Sequence, residues 1–238
     1  MVEGRSKQVF KSWLAACPHG WRDGIEVVAM DGFTGYKTAA VEELGNATTV
    51  MDTFHVVRLA GEALTRCRQR IQQDTCGHRG RAGDPLYRAR RTLLTGVYLL
   101  TDKQVARREA LFADEQHTEV YATWSIYQRL VVAYRQPDKK LGRFLLQVLL
   151  QGVTDSVSTG VPRDHIELVS LGRTLHRRAA DVLAFFDRPG TSNGPTEAIN
   201  GRLEHLRGIA LGFRNLTHYI ARSLLETGGF KPQLHPAL

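Results

Sequence analysis

Three carboxylates and one amide stand at spacings that could serve chemistry on a phosphodiester. Glu197 and Asn200 lie one helical turn apart in SNGPTEAINGRLEHLRG (Ser192 to Gly208), and Arg202 and Arg207 follow on the same segment. Asp31 closes the run IEVVAMD, and Asp52 closes ATTVMD. Phosphoryl transfer at neutral pH asks a protein for little beyond positioned divalent cations, two of them about 4 Å apart, to activate one oxygen and stabilise another. Mg2+ takes hard oxygen ligands, and carboxylates on separate elements supply them without closing its coordination shell. Asp31 and Glu197 are therefore a candidate pair of catalytic, metal-binding acids. Asn200 could bond a metal-bound water or a phosphate oxygen, and the arginines could lie against phosphates. The plainer alternative is a solvated helix with two aspartates acting as helix caps. Residue types alone leave both readings open.

The elements that must position these groups fall into two kinds. SKQVFKSWLAAC (Ser6 to Cys17) places Val9, Phe10, Trp13 and Leu14 at helical spacing, and Pro18, Gly20 and Gly24 break it. Ile25 to Asp31 reads as a short buried strand. Thr34 to Gly45 reads as a helix with Thr34 as its cap and Gly45 as its stop, and Ala47 to Asp52 as a second strand before a long helix. Helices alternating with strands imply a parallel sheet, and both aspartates then sit at carboxyl ends of strands, where open α/β sheets gather their chemistry. From Thr75 onward no strand pattern returns. Five helical patterns follow, the last a single helix over 166–186, punctuated by Pro137, Pro162 and Pro189. Trp124, Tyr127, Leu130, Val131 and Tyr134 are spaced for a core. A turn-rich break (Asp187 to Pro195) leads to a helix capped by Thr191 or Ser192 that runs to about Ala210, and LTHYIARSLLET forms a last helix.

The 238 residues carry a net charge of +8, which favours polyanionic partners. Cys17, Cys67 and Cys76 are an odd number and suggest no disulfide framework. Cys76-Gly77-His78 has the look of half a metal site, but no second cysteine or histidine pair accompanies it. The apolar runs are too short to span a bilayer and the start lacks a signal-peptide core, so the expectation is a cytoplasmic protein that enters no membrane.

Two long stretches carry a resemblance. VVAMDGFTGYKTAAVEELGNATTVMDTFHVVRL is similar to the strand–helix–strand block of bacterial insertion-sequence transposases of the ISL-three family. GTSNGPTEAINGRLEHLRGIALGFRNLTHYIARSLLETGGF resembles the C-terminal signature of the same family, an S-N-x-x-x-E-x-x-N core followed by R-N. The resemblance implies an RNase H-like core whose DDE triad of carboxylates binds Mg2+ or Mn2+ in a two-metal arrangement. It also implies a large all-helical insertion ahead of the third acid. On that reading the fold class is α/β plus α. Residues 1–66 would form the first part of the core, 67–190 the helical insertion, and 191–238 the C-terminal core helices. Asp31 matches the second acid and Glu197 the third, while Asp52, His55 and Asn200 would support the site.

The same resemblance sets three further expectations. The family's first acid and its N-terminal DNA-recognition regions have no counterpart before Asp31, so the chain reads as a C-terminal portion with little or no strand cleavage of its own. DNA, as transposon ends and target, is the expected partner, along with a second copy or a full-length transposase. Arg173, Arg177, Arg178, Arg202, Arg207 and Arg214 are the candidate DNA contacts. The competing reading is a non-catalytic regulator that binds DNA or associates with a transposase.

Overall fold

The computed structural model describes residues 2–4, 6–159 and 165–228, with side chains omitted over 154–159. The break expected at Pro162 and the chain beyond Gly228 lie outside the described residues. By internal contacts the chain divides into two compact units, one of Met1–Ala47 with Ser192–Leu238 and one of Thr48–Thr191.

The first unit begins with helix α1 (Lys7–Ala16). Ser6 caps it, its hydroxyl oxygen accepting from the Val9 N–H at 3.2 Å. A one-turn helix α2 (His19–Asp23) leads to strand β1 (Val27–Met30) and then helix α3 (Thr34–Glu43). Leu14, Met30, Ala40 and Leu44 make a small core, with Phe10, Ile25 and Val28 packed against it. Lys7 and Lys11 pair with Glu42 at 2.7 and 2.6 Å, and Arg22 pairs with Glu43 at 3.2 Å. These pairs link α1 and α2 to α3. The α3 boundaries differ from expectation. Thr34 is the first helical residue rather than the cap, and Leu44 rather than Gly45 ends the helix.

The unit closes with α11 (Gly194–Ile209) and α12 (Leu216–Thr227), which pack on each other. Asn193, not Thr191 or Ser192, holds the α11 cap position, and Pro195 lies in the first turn as its fixed φ favours. The Ser192 hydroxyl accepts instead from the Gly194 N–H at 2.9 Å. Asn215 caps α12 by accepting from Thr217 and His218 N–H groups at 2.9 and 3.2 Å. Between the two helices Leu211 is 97% exposed at φ 52°, a left-handed conformation that a branched side chain seldom adopts.

Strand β2 (Thr48–Met51) opens the second unit, and β1 and β2 form a two-stranded parallel sheet. Helix α4 (Thr53–Cys76) follows and ends where Gly77 turns left-handed at φ 71°. Val56, Ala60, Ala63, Leu64, Cys67 and Ile71 recur at helical spacing and are buried. They meet the apolar faces of α7 (Thr118–Arg135), α8 (Lys139–Thr159), α9 (Ile166–Arg177) and α10 (Ala179–Asp187) in one continuous core. Helices α5 (Pro85–Leu94) and α6 (Asp102–Phe112) pack on each other, with short 3-10 turns at Val97–Leu99 and Glu115–His117. The division expected after residue 66 lies within α4, whose 24 residues run unbroken.

A charged junction is built into this core. The Arg70 guanidinium donates from Nε and Nη2 to the two oxygens of Glu167 at 3.0 and 2.9 Å, and from Nη2 to Glu119 at 2.5 Å. Three helices, α4, α7 and α9, are thus joined by one forked cation. The helix expected over 166–186 is in fact two. The backbone departs from helical geometry at Arg178 (φ −112°, ψ 13°), where Nε donates to Asp181 at 2.6 Å. Asp181 also accepts from the Thr49 hydroxyl at 2.7 Å, so a buried carboxylate ties α10 to β2 and rewards the break.

Candidate active site

Asp31 follows the last residue of β1, and its carboxylate is exposed to solvent. One oxygen, Oδ1, accepts from the Phe33 N–H at 2.9 Å, an Asx turn that fixes the side chain at the strand end. Glu197 lies in the first turn of α11 and is also exposed. The unsatisfied N–H groups of a helix start favour a negative charge there. Asn200, one turn further along, is exposed as well. Asp31, Glu197 and Asn200 belong to the same compact unit.

Asp52 is placed differently. It is 5% exposed, and Oδ1 accepts from the Phe54 and His55 N–H groups at 2.8 and 3.2 Å, capping α4. Its charge is felt inward. Burial first, and then the Asp52 carboxylate, pushes the Tyr134 phenol well above its ordinary range, and that phenol donates to the Val182 carbonyl at 3.4 Å. His55 is half-buried beside it on α4. Asp52 and His55 belong to the second unit.

The candidate DNA contacts separate into free and engaged groups. Arg173, Arg202 and Arg214 are exposed. Arg177 is exposed, with Nε donating to the Arg173 carbonyl at 3.3 Å. Arg207 pairs with Glu204 at 2.9 Å on the surface of α11. Arg178 is 7% exposed and held by Asp181, so its guanidinium faces the interior of the second unit.

An aromatic array beside Asp31 went unread in the sequence. Phe33 packs edge-on to Tyr36 with ring centres 4.8 Å apart, and Tyr36 packs on Phe10 at 5.2 Å. Phe10 stacks near Trp13 at 6.0 Å, and Trp13 meets Trp21 at 5.8 Å. Phe33, Trp13 and Trp21 are all exposed. Helical spacing explained Phe10 and Trp13 as an apolar face, and nothing in the local pattern said that other rings would extend it.

Both acids offer the hard oxygen donors that Mg2+ prefers. Among the described residues no group of three or more His, Cys, Asp or Glu side chains could hold a metal ion, Cys76 and His78 included. A cation held by Asp31 and Glu197 would complete its shell with water and phosphate oxygens, as Mg2+ commonly does. No helix among the described residues is long and apolar enough to cross a membrane.

A family model described as transposase, of the ISL-three group, matches residues 1–223, and the chain belongs to that family. No curated protein and no solved structure matches it. Membership makes the chain a transposase by family and implies DNA as its partner.

Proposed function

We propose that the chain works on DNA through a DDE-type site in an RNase H-like core, with Asp31 and Glu197 as the second and third acids of the triad. The observation that carries this reading is how the three candidate acids divide. Asp31 and Glu197 are exposed within one compact unit, whereas Asp52 is buried and spends its carboxylate on the α4 cap. A metal ligand must offer free oxygen lone pairs toward solvent and substrate, and a buried cap does not.

In this reading Asp31 and Glu197 hold Mg2+ or Mn2+. A bound cation of that kind would activate the attacking oxygen and stabilise the leaving one. The chain's own residues do the rest. The Phe33 N–H holds the Asp31 carboxylate at the strand end. Glu197 projects from the first turn of α11. Asn200 offers an amide to a phosphate oxygen or an ordered water, and Arg202 and Arg214 draw the DNA backbone toward this unit. The helices of 67–190 act as an insertion within the core, and residues 191–238 return the chain to it.

Metal binding tests the assignment without requiring turnover. Mn2+ titrated into the protein and followed by electron paramagnetic resonance should show bound ion. Asp31→Asn and Glu197→Gln should each weaken that binding by tenfold or more, an order-of-magnitude expectation for losing one charged ligand. Equal Mn2+ binding by all three proteins sinks the assignment. A second reading, DNA binding without cleavage, is favoured by the exposed Arg173, Arg202 and Arg214. It predicts salt-sensitive retention of duplex DNA that is indifferent to both acid substitutions.

A further inference from the structure

The residue two places after Asp31 breaks a local rule. Phe33 holds the cap position of α3, where Ser, Thr, Asp or Asn would bond N–H groups of the first turn, and no side chain caps this helix. Phe33 is also 49% exposed, so its ring gains only part of what full burial would give. A residue that forgoes a cap and leaves half an aromatic ring in water gives up stability twice at one position. Departures of this kind gather at functional sites.

The ring is nevertheless fixed in place. The Phe33 N–H donates to Asp31 Oδ1 at 2.9 Å, so the acid and the ring share one tight turn of backbone. Tyr36 packs against the ring at 4.8 Å with the two planes 77° apart, and Phe10 supports Tyr36 at 5.2 Å. Gly35 provides the space. A Cβ at that position would stand 2.6 and 2.9 Å from two carbons of the Phe33 ring, so any larger residue would displace it. A backbone bond, a tyrosine and a glycine thus hold a half-exposed ring beside Asp31, whereas an ordinary surface phenylalanine needs none of them.

We infer that Phe33 is a stacking platform for an unpaired DNA base next to the phosphodiester at Asp31. The place of the phosphodiester rests on the Asp31 assignment above, and DNA as the partner on family membership. Every base has a flat π face, so an aromatic ring takes any of them without reading sequence. The contact is open only to a base that has left the duplex stack. A protein surface laid over Phe33 would instead strip water from the Asp31 carboxylate without supplying a cation, which is costly. A nucleotide brings the phosphate that a cation on Asp31 would share. Trp13 and Trp21, 41% and 47% exposed, extend the same aromatic surface.

Two DNAs test the platform, a short fully paired duplex and the same duplex with one unpaired adenine at its centre. Their affinities for the full chain are measured by fluorescence anisotropy with chelator present, so that no strand is cut. The parent should favour the unpaired adenine by roughly tenfold, the scale of one base stacked on an aromatic ring. Phe33→Leu should erase that preference while binding of the paired duplex changes less than about twofold, and Phe33→Trp should keep it. Gly35→Ala, which leaves the ring but moves it, should weaken the preference, and Tyr98→Leu, at an exposed ring of the second unit, should not. A parent without the preference, or a preference that survives Phe33→Leu, overturns the platform. A dimer that Phe33→Leu dissociates, with no preference for the unpaired base, gives the aromatic face to a second copy and overturns it too. The Mn2+ titration separates the two readings. Mn2+ binding that ignores Asp31, alongside a preference that needs Phe33, removes the acid assignment and leaves the platform standing. Mn2+ binding that needs Asp31, without the preference, does the reverse.

Discussion

The two strand-to-helix junctions start from nearly the same sequence and end in opposite roles. Each strand closes on methionine and aspartate, MDGFT after β1 and MDTF after β2. At the second junction Asp52 directly precedes the first residue of α4 and falls on the cap position, buried and holding two N–H groups. At the first, Gly32 and Phe33 intervene before α3 begins at Thr34, and Phe33 takes the cap position without a side-chain bond. Asp31 is thus two residues too early to cap. Its carboxylate keeps a single bond to the Phe33 N–H and otherwise faces solvent. Two inserted residues convert a structural acid into one available for chemistry. The same contrast separates the regions around them. The unit that begins at β2 has a large shared core, whereas α11 buries no residue.

Substitutions should break this comparison in a definite order. Arg70→Ala would leave Glu167 and Glu119 facing each other without a cation inside the helical unit. Removing the cation from this part-buried network costs about 2–3 kcal/mol, the scale of charge-assisted hydrogen bonds, to be read as a lower urea midpoint with an unchanged slope. A loss under about 1 kcal/mol would show that the junction is solvated rather than structural. Asp52→Ala comes next, at about 1–2 kcal/mol for a lost cap at the head of a long helix. Thermal unfolding indifferent to this change would remove the distinction between the two aspartates. Leu203→Ala on α11, half-buried at best, should cost less than about 1 kcal/mol, because little apolar area leaves water there. Asp31→Asn should leave stability within about 0.5 kcal/mol of the parent, as surface changes commonly do, while Mn2+ binding is lost. A thiol titration probes burial along α4 with no substitution at all. Burial pushes the Cys67 thiol up to about 11, so at pH 8 a soluble disulfide reagent should label exposed Cys76 and reach Cys67 only after unfolding.

Much of this architecture was legible from local pattern. Period and breakers placed α1, both strands, the start of α4 and α12 to within a residue or two, and Leu216–Thr227 matches its expected span. What escaped the sequence depends on partners distant along the chain. The break at Arg178 exists because Asp181 is engaged by that arginine and by Thr49, 132 residues away. Nothing near position 178 announces it. Arg178 read as one more surface arginine, since the HRR run is equally basic throughout and only burial singles out its last member. The Gly-Phe insertion after Asp31 was visible in the sequence, yet its meaning required knowing where α3 begins.

The Arg70 junction also sets an order of events for a chain emerging from the ribosome. Arg70 is separated from Glu119 by 49 residues and from Glu167 by 97. Helices α4 to α8 can coil as they appear, since each closes only local loops, but the guanidinium stays half-matched until α9 has been synthesised. A nascent chain halted before Glu167 has Arg70 held by Asp74 and Glu119 alone, without the forked bond to α9, so final consolidation of the helical unit waits on translation of its last third.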